Sequence, residues 1–225
     1  ALETFAPFRD SDPQQYLLYA TSLVNAIADN GQYEEVVKQV GGILPFAARH
    51  GLDGVHEHAA LLHARGSAQR QLGDLDAAQA DLRMAIKEYE VLESADAAGA
   101  YTDLAATLSD AGDPQAALDL LRKGEQRYGA GRSEINRLID LQNQARELYR
   151  LGRAAEAIPL LQRAVPGLEA LGGDAFNRTV VARNSLAQAY AAVGRNADAL
   201  TMVERNLQLQ GDSDTVSQGD LTVTR

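Results

Sequence analysis

The 225-residue chain sets 21 Lys+Arg against 31 Asp+Glu, a formal charge of −10, and its 45% hydrophobic content includes only 5% aromatics and neither Cys nor Trp. The missing thiols exclude a disulfide scaffold, a cysteine nucleophile and thiolate metal sites, and the acidic balance argues against general binding to nucleic acid or anionic membranes. No apolar run approaches the roughly 20 residues that a bilayer-spanning helix needs, and the hydrophobicity comes from Ala and Leu, which favour helix.

In chain order, residues 1–12 read as a lead-in. Its start, Ala1-Leu2-Glu3-Thr4-Phe5, has neither a basic leader nor a start Met, the pattern of a piece of a longer protein. Helices are expected over 13–30, 33–48 (broken at Gly41-Gly42 and Pro45), 53–72, 75–94 and 96–111. Further helices are expected over 114–128, 133–151, 154–171, 174–193 and 196–210. Pro159 and Pro166 each remove one backbone donor and should bend the helix that holds them rather than abolish it. From Gly211 the sequence becomes a polar tail.

A repeat organises these helices. Gly31, Gly73, Gly112, Gly152 and Gly194 stand 42, 39, 40 and 42 residues apart, each ending one helical run and preceding the next. Gly tolerates the left-handed conformation that stops a helix; in Gly73-Asp74 and Gly112-Asp113-Pro114 the Asp caps the next helix and Pro suits its first turn. Seven residues before the Gly come Gly66, Ala105, Ala145 and Ala187; five after it come Ala78, Ala117, Ala157 and Ala199; nine after it come Leu82, Leu121, Leu161 and Val203. Small side chains on both helices let the backbones approach, and the aliphatic residue fills the space beside them. The first repeat departs from this with Val24 and Val36, as a terminal unit does.

This spacing resembles the tetratricopeptide repeat family, and the stretch from Thr179 to Gly194 looks like the longer variety of kinesin light chains and bacterial regulators. The resemblance implies an all-α, right-handed α-solenoid of about five helix-turn-helix repeats (13–50, 53–94, 96–129, 133–171 and 174–210), with the first helix of each pair lining a concave groove. In that family ligands lie along the groove. Residues placed there are His63, Ser67 and Arg70 in the second repeat, Gln142, Asn143, Arg146 and Arg150 in the fourth, and Asn184 and Gln188 in the fifth. Side-chain amides suit an extended peptide backbone, and Arg forks suit a carboxylate. The implied function is capture of a protein or peptide partner, favouring an acidic or C-terminal segment, within a cytoplasmic scaffold or sensor. Two alternatives stay open: a spacer or self-association module whose end faces mate with another copy, and a small-ligand-sensing domain.

Nothing in the sequence points to an enzyme or a cofactor. His56, His58 and His63 lack the i, i+4 spacing of a helical zinc site. Gly41-Gly42 is too isolated for a phosphate loop, and Asp103 and Asp110 read as ordinary exposed acids. Asp74, Asp76, Asp81, Glu88, Glu90, Glu93 and Asp96 read as a solvated convex face.

Overall fold

A helix begins where a side chain answers its free amides and ends where the backbone can turn left-handed. Residues 9 and 11–208 are described by the structure, a computed structural model. In α1 (Pro13–Asp29) Asp12 accepts the Gln15 amide and Pro13 takes the first helical position. The Asp74 carboxylate caps α4 (Leu75–Val91) through Ala77 N, and Asp113 caps α6 (Pro114–Tyr128) through Ala116 N. The five turn glycines, Gly31, Gly73, Gly112, Gly152 and Gly194, have φ between 70° and 88°, where a Cβ would be strained.

Between these lie α2 (Tyr33–Arg49), α3 (His56–Leu72), α5 (Ala97–Asp110), α7 (Glu134–Arg150), α8 (Ala154–Leu171) and α9 (Phe176–Ala192), followed by α10 over 196–208. The described residues form no strand. They fall into two compact units, the first ending at Gly131 and the second beginning at Arg132. In unit 1, α1 pairs with α2, α3 with α4 and α5 with α6, and each hairpin packs on the next. In unit 2, α7 and α9 lie against α8 and against each other. Asn206 ties α10 to α9 through Val180 O and Asn184 Oδ1.

The small-and-large pattern packs as its spacing requires. Ala78, Ala117, Ala145 and Ala157 are fully buried beside Leu82, Leu121 and Leu161. Gly66 is a tight notch: a Cβ there would stand 2.7 Å from Leu82 Cγ. Val203, which occupies the same place in the last repeat, is 41% exposed, because no following helix among the described residues covers it.

Two expectations need correction. The break in 33–48 does not occur, and α2 runs unbroken through Pro45. The proline ring bears on the carbonyl four residues back, which belongs to Gly41, and a Cβ at Gly41 or Gly42 would meet nothing within 4 Å. Burial of Ile43, Phe46 and Ala47 holds the helix across the lost bond. Helix α8 also continues through Pro159 and Pro166. The acids of the second repeat are not simply solvated either. Asp81 is buried and takes both Nε and Nη2 of Arg65, Glu88 meets His58, Glu90 accepts from Tyr101 and Arg127, and Asp96 meets His56. The tail from Gly211 lies outside the described residues.

Candidate functional site

On the face of α3 turned toward α5, residues seven apart meet acids seven apart, every pair separated by 40 positions. His56 Nε2 lies 2.6 Å from Asp96 Oδ2, His63 Nε2 lies 2.9 Å from Asp103 Oδ2, and Arg70 Nη1 lies 2.9 Å from Asp110 Oδ2. Ser67 Oγ donates to the same Asp103 oxygen at 2.6 Å. The buried Tyr89 ring sits beside both histidines, and its phenol is pushed well above the ordinary range by burial and by the charges of Asp96 and Glu88. Three of the donors placed in the groove by sequence, His63, Ser67 and Arg70, are therefore committed to a neighbouring helix. This ladder stitches adjacent repeats together.

Asp103 is its hub. Burial pushes its carboxyl upward, but the His63 hydrogen bond and charge, the Ser67 hydroxyl and the Arg70 charge outweigh that and hold it below the ordinary value. A carboxyl depressed on folding stabilises above its unfolded value, near 3.9, and that contribution is lost as pH falls through the folded value. Asp103→Asn should therefore lower stability by about 1.5–3 kcal/mol at pH 7. The gap between variant and parent should narrow below about pH 4, read from denaturant midpoints across pH. An unchanging gap down to pH 3 would contradict the assignment.

Among its described residues, unit 2 has no such ladder. Counted from the turn glycines, the equivalents of His56, His63 and Arg70 are Ile135, Gln142 and Tyr149, and the equivalents of the three aspartates are Arg178, Ser185 and Ala192. Helix α9 contains no acid at all. On α7 the exposed side carries Asn143, Arg146 and Arg150, at spacings of three and four. The Arg146 and Arg150 side chains are 49% and 46% exposed, yet both are referred to Glu147, whose carboxylate is fully buried: Arg146 Nε donates to its Oε1 at 2.8 Å, and Arg150 Nη1 lies 3.8 Å from its Oε2. That buried anion steadies the two guanidiniums at the surface.

The remaining placements differ from the sequence expectation in detail. Gln142 is buried, not solvent-facing, and its Oε1 has no partner among the described residues. Side-chain spacing along a single helix gives no warning of that burial. Asn184 is exposed, but its Oδ1 accepts from Asn206 Nδ2 at 2.9 Å. Gln188 is exposed one turn along α9. Asn143, Arg146, Arg150, Asn184 and Gln188 thus all belong to unit 2, while His63, Ser67 and Arg70 belong to unit 1. Sequence reading missed the ladder and Glu147; opposite charges recurring at the repeat period of 40 were the available signal for the first. Among the described residues no three His, Asp or Glu side chains are grouped to hold a metal, and no helix is long and apolar enough to cross a membrane.

Residues 59–90, 97–124 and 180–205, which cover α3–α4, α5–α6 and α9–α10, match the family described as Tetratricopeptide repeat. No curated protein matches the chain. Among solved structures it is similar to BtubC (BKLC) from P. vanneervenii, with a TM-score of 0.81 at 14% identity over 95% of this chain and 88% of that one. It is also similar to the nearly identical TPR-like repeats of a Podosopora anserina kinesin light chain, with a TM-score of 0.74 at 20% identity over 88% and 96%. A third likeness is to YrrB, a TPR protein with an unusual peptide-binding site, at 0.62 and 15% over 98% and 99%. These likenesses carry the fold.

Proposed function

The chain is a tetratricopeptide-repeat protein, and from that premise we propose that it is a protein-interaction scaffold that captures an extended acidic segment on the α7/α9 face of unit 2. The observation that carries this reading is the contrast in charge. In a chain of net charge −10, α9 contributes no acid, and α7 presents two half-exposed guanidiniums fixed by a buried carboxylate. An acidic partner is repelled by most of the molecule and attracted here. Asn143 and Gln188 supply amide donors and acceptors to a peptide backbone, Arg146 and Arg150 supply charge, and the Asn184–Asn206 pair fixes the edge of the face. Preformed helices make capture inexpensive in conformational entropy. YrrB, similar in fold, is itself described as having a peptide-binding site.

The test is a fluorescence-polarisation titration with a ten-residue Asp/Gly peptide and a Lys/Gly control. Arg146→Glu should weaken acidic-peptide binding by about tenfold or more, because it sets like charges together. Arg70→Glu, in the ladder of unit 1, should leave it nearly unchanged. Equal sensitivity to the two changes, or preference for the basic peptide, would refute the reading.

One observation favours a second reading, self-association. Leu200, Val203 and Leu207 expose an apolar stripe along α10, at a place that is covered in earlier repeats. A mass that rises with concentration and returns to one chain in Val203→Asp, with no peptide binding, would support that reading instead.

A further inference from the structure

The seam between α3 and α5 in unit 1 begins with the rung His56–Asp96, at 2.6 Å. Counted from the turn glycines, the same rung in the preceding seam, between α1 and α3, falls to Gln14 and Glu57. The acid is kept there and the base is not. Glu57, half-buried in the first turn of α3, has no hydrogen bond or ion pair among the described residues. A cleft of about 350 Å³ lies at this place. Its polar lining includes Asp12, Gln14 and Glu57, and its apolar lining is Leu17, Leu18, Leu52 and Val55. That volume is in the range that takes a small ligand or one side chain.

We propose that this cleft is a subsite for a primary ammonium on an unbranched hydrocarbon stem, the chemistry shared by a partner's lysine side chain and a free alkyl diamine. It lies in unit 1 and does not rest on capture of an acidic segment by the α7/α9 face of unit 2. Two carboxylates border the cleft, and no Lys, Arg or His among the described residues does. Asp12 Oδ1 accepts the Gln15 amide at 3.0 Å, while its Oδ2 has no partner among the described residues. Each acid stands at a helix N-terminus, whose dipole offers roughly half a positive charge, so the pair keeps a net negative charge. Cations on neighbouring elements are engaged elsewhere. Arg9 lies over the Phe46 ring at 5.5 Å, and His58 stands between Asp53 at 3.3 Å and Glu88 at 2.8 Å. The apolar lining disfavours a bare divalent ion, which needs about six oxygen ligands or more. Leu18 is 45% exposed and gives a hydrocarbon stem a surface to lie on. An ammonium's three rotatable donors suit two separate carboxylates and the Gln14 carbonyl better than the fixed fork of a guanidinium. A bound ammonium would thus supply the base that the α1–α3 rung lacks.

The experiment titrates the full chain by NMR with N-acetyl-lysine N-methylamide, its Nε-acetylated form and cadaverine, read at the backbone amides of Leu52 and Val55. The lysine probe should shift both signals, and its Nε-acetylated form should bind at least about tenfold more weakly. Glu57→Gln removes the unanswered charge with little change of shape and should weaken the lysine probe by about tenfold. Gln14→His rebuilds the rung from within and should weaken it likewise. Glu34→Gln removes the same charge from an exposed site on α2 and should leave binding unchanged, as should Arg146→Glu in unit 2. Cadaverine binding more tightly than the lysine probe supports a free diamine as the source, and the reverse order supports a partner's side chain. Charged and acetylated probes binding alike, or binding that Glu57→Gln and Glu34→Gln weaken equally, would overturn the proposal. Arg146-dependent capture of the Asp/Gly peptide, with the lysine probe inert, would leave the proposed function standing and remove this subsite alone.

Discussion

Gly66→Val should cost about 3 kcal/mol or more, the upper range for forcing atoms into a close-packed site. The Cβ alone would stand 2.7 Å from Leu82 Cγ and 3.2 Å from the Ala78 carbonyl oxygen, and valine adds two methyls beyond it. Leu82 cannot retreat, because it is fully buried among Ala59, Leu62, Ala85 and Tyr101. The carbonyl belongs to the backbone of α4 and cannot move without moving the hairpin. The expected readout is a thermal midpoint lower by about 6–12 °C, with hydrogen-exchange protection lost first in α3 and α4. Gly41→Ala is the matched control. It too is a helical glycine, but a Cβ there meets nothing within 4 Å, so the substitution should stabilise by about 0.5–1 kcal/mol through backbone entropy. If both changes had the same sign, the notch at Gly66 would not be what sets the α3–α4 distance.

That pair of glycines shows why so much of the fold was legible. Turn glycines, capping aspartates and small residues at fixed offsets are local constraints, and each repeat states them again. Repetition turned weak signals such as Ala117 or Ala157 into a consistent frame. What failed was what depends on a neighbour. Val203 satisfies the same offset as Leu82, and its exposure follows from what lies beyond it rather than from its own helix. Pro45 obeys its local rule and is overruled by the burial of Phe46 and Ala47. The site residues divide in the same way. Helical periodicity places His63, Ser67 and Arg70 on an outward face, but the aspartates that occupy them come from the next repeat. Gln142 and Tyr149 hold the same offsets in unit 2, where the next repeat offers Ser185 and Ala192. Comparing repeats by residue type shows which are scaffold. Comparing them by charge complementarity shows where one repeat has stopped pairing with the next, and that is where a partner's chemistry has room.

Tyr101→Ala carries the other large expected effect, about 3–5 kcal/mol. Tyr101 on α5 is 1% exposed and bridges both flanking helices. Its hydroxyl donates to Glu90 Oε1 at 2.7 Å, from the end of α4, while its ring is packed against the α6 backbone at Gly124, where a Cβ would approach Tyr101 Cβ to 3.1 Å. Lys123 lies 5.2 Å from the ring centroid and the Tyr128 ring 6.0 Å away. Burial raises the phenol above its ordinary value, with Lys123 opposing, so the hydroxyl stays a donor at neutral pH. Two variants separate packing from polarity. Tyr101→Phe keeps the ring and should lose only about 1 kcal/mol, because Glu90 retains Arg127 at 2.9 Å. Gly124→Leu keeps Tyr101 but drives a side chain into its ring, and should approach the alanine variant in cost. A Tyr101→Phe loss as large as that of Tyr101→Ala would mean that the Glu90 hydrogen bond, not the seated ring, joins α4, α5 and α6.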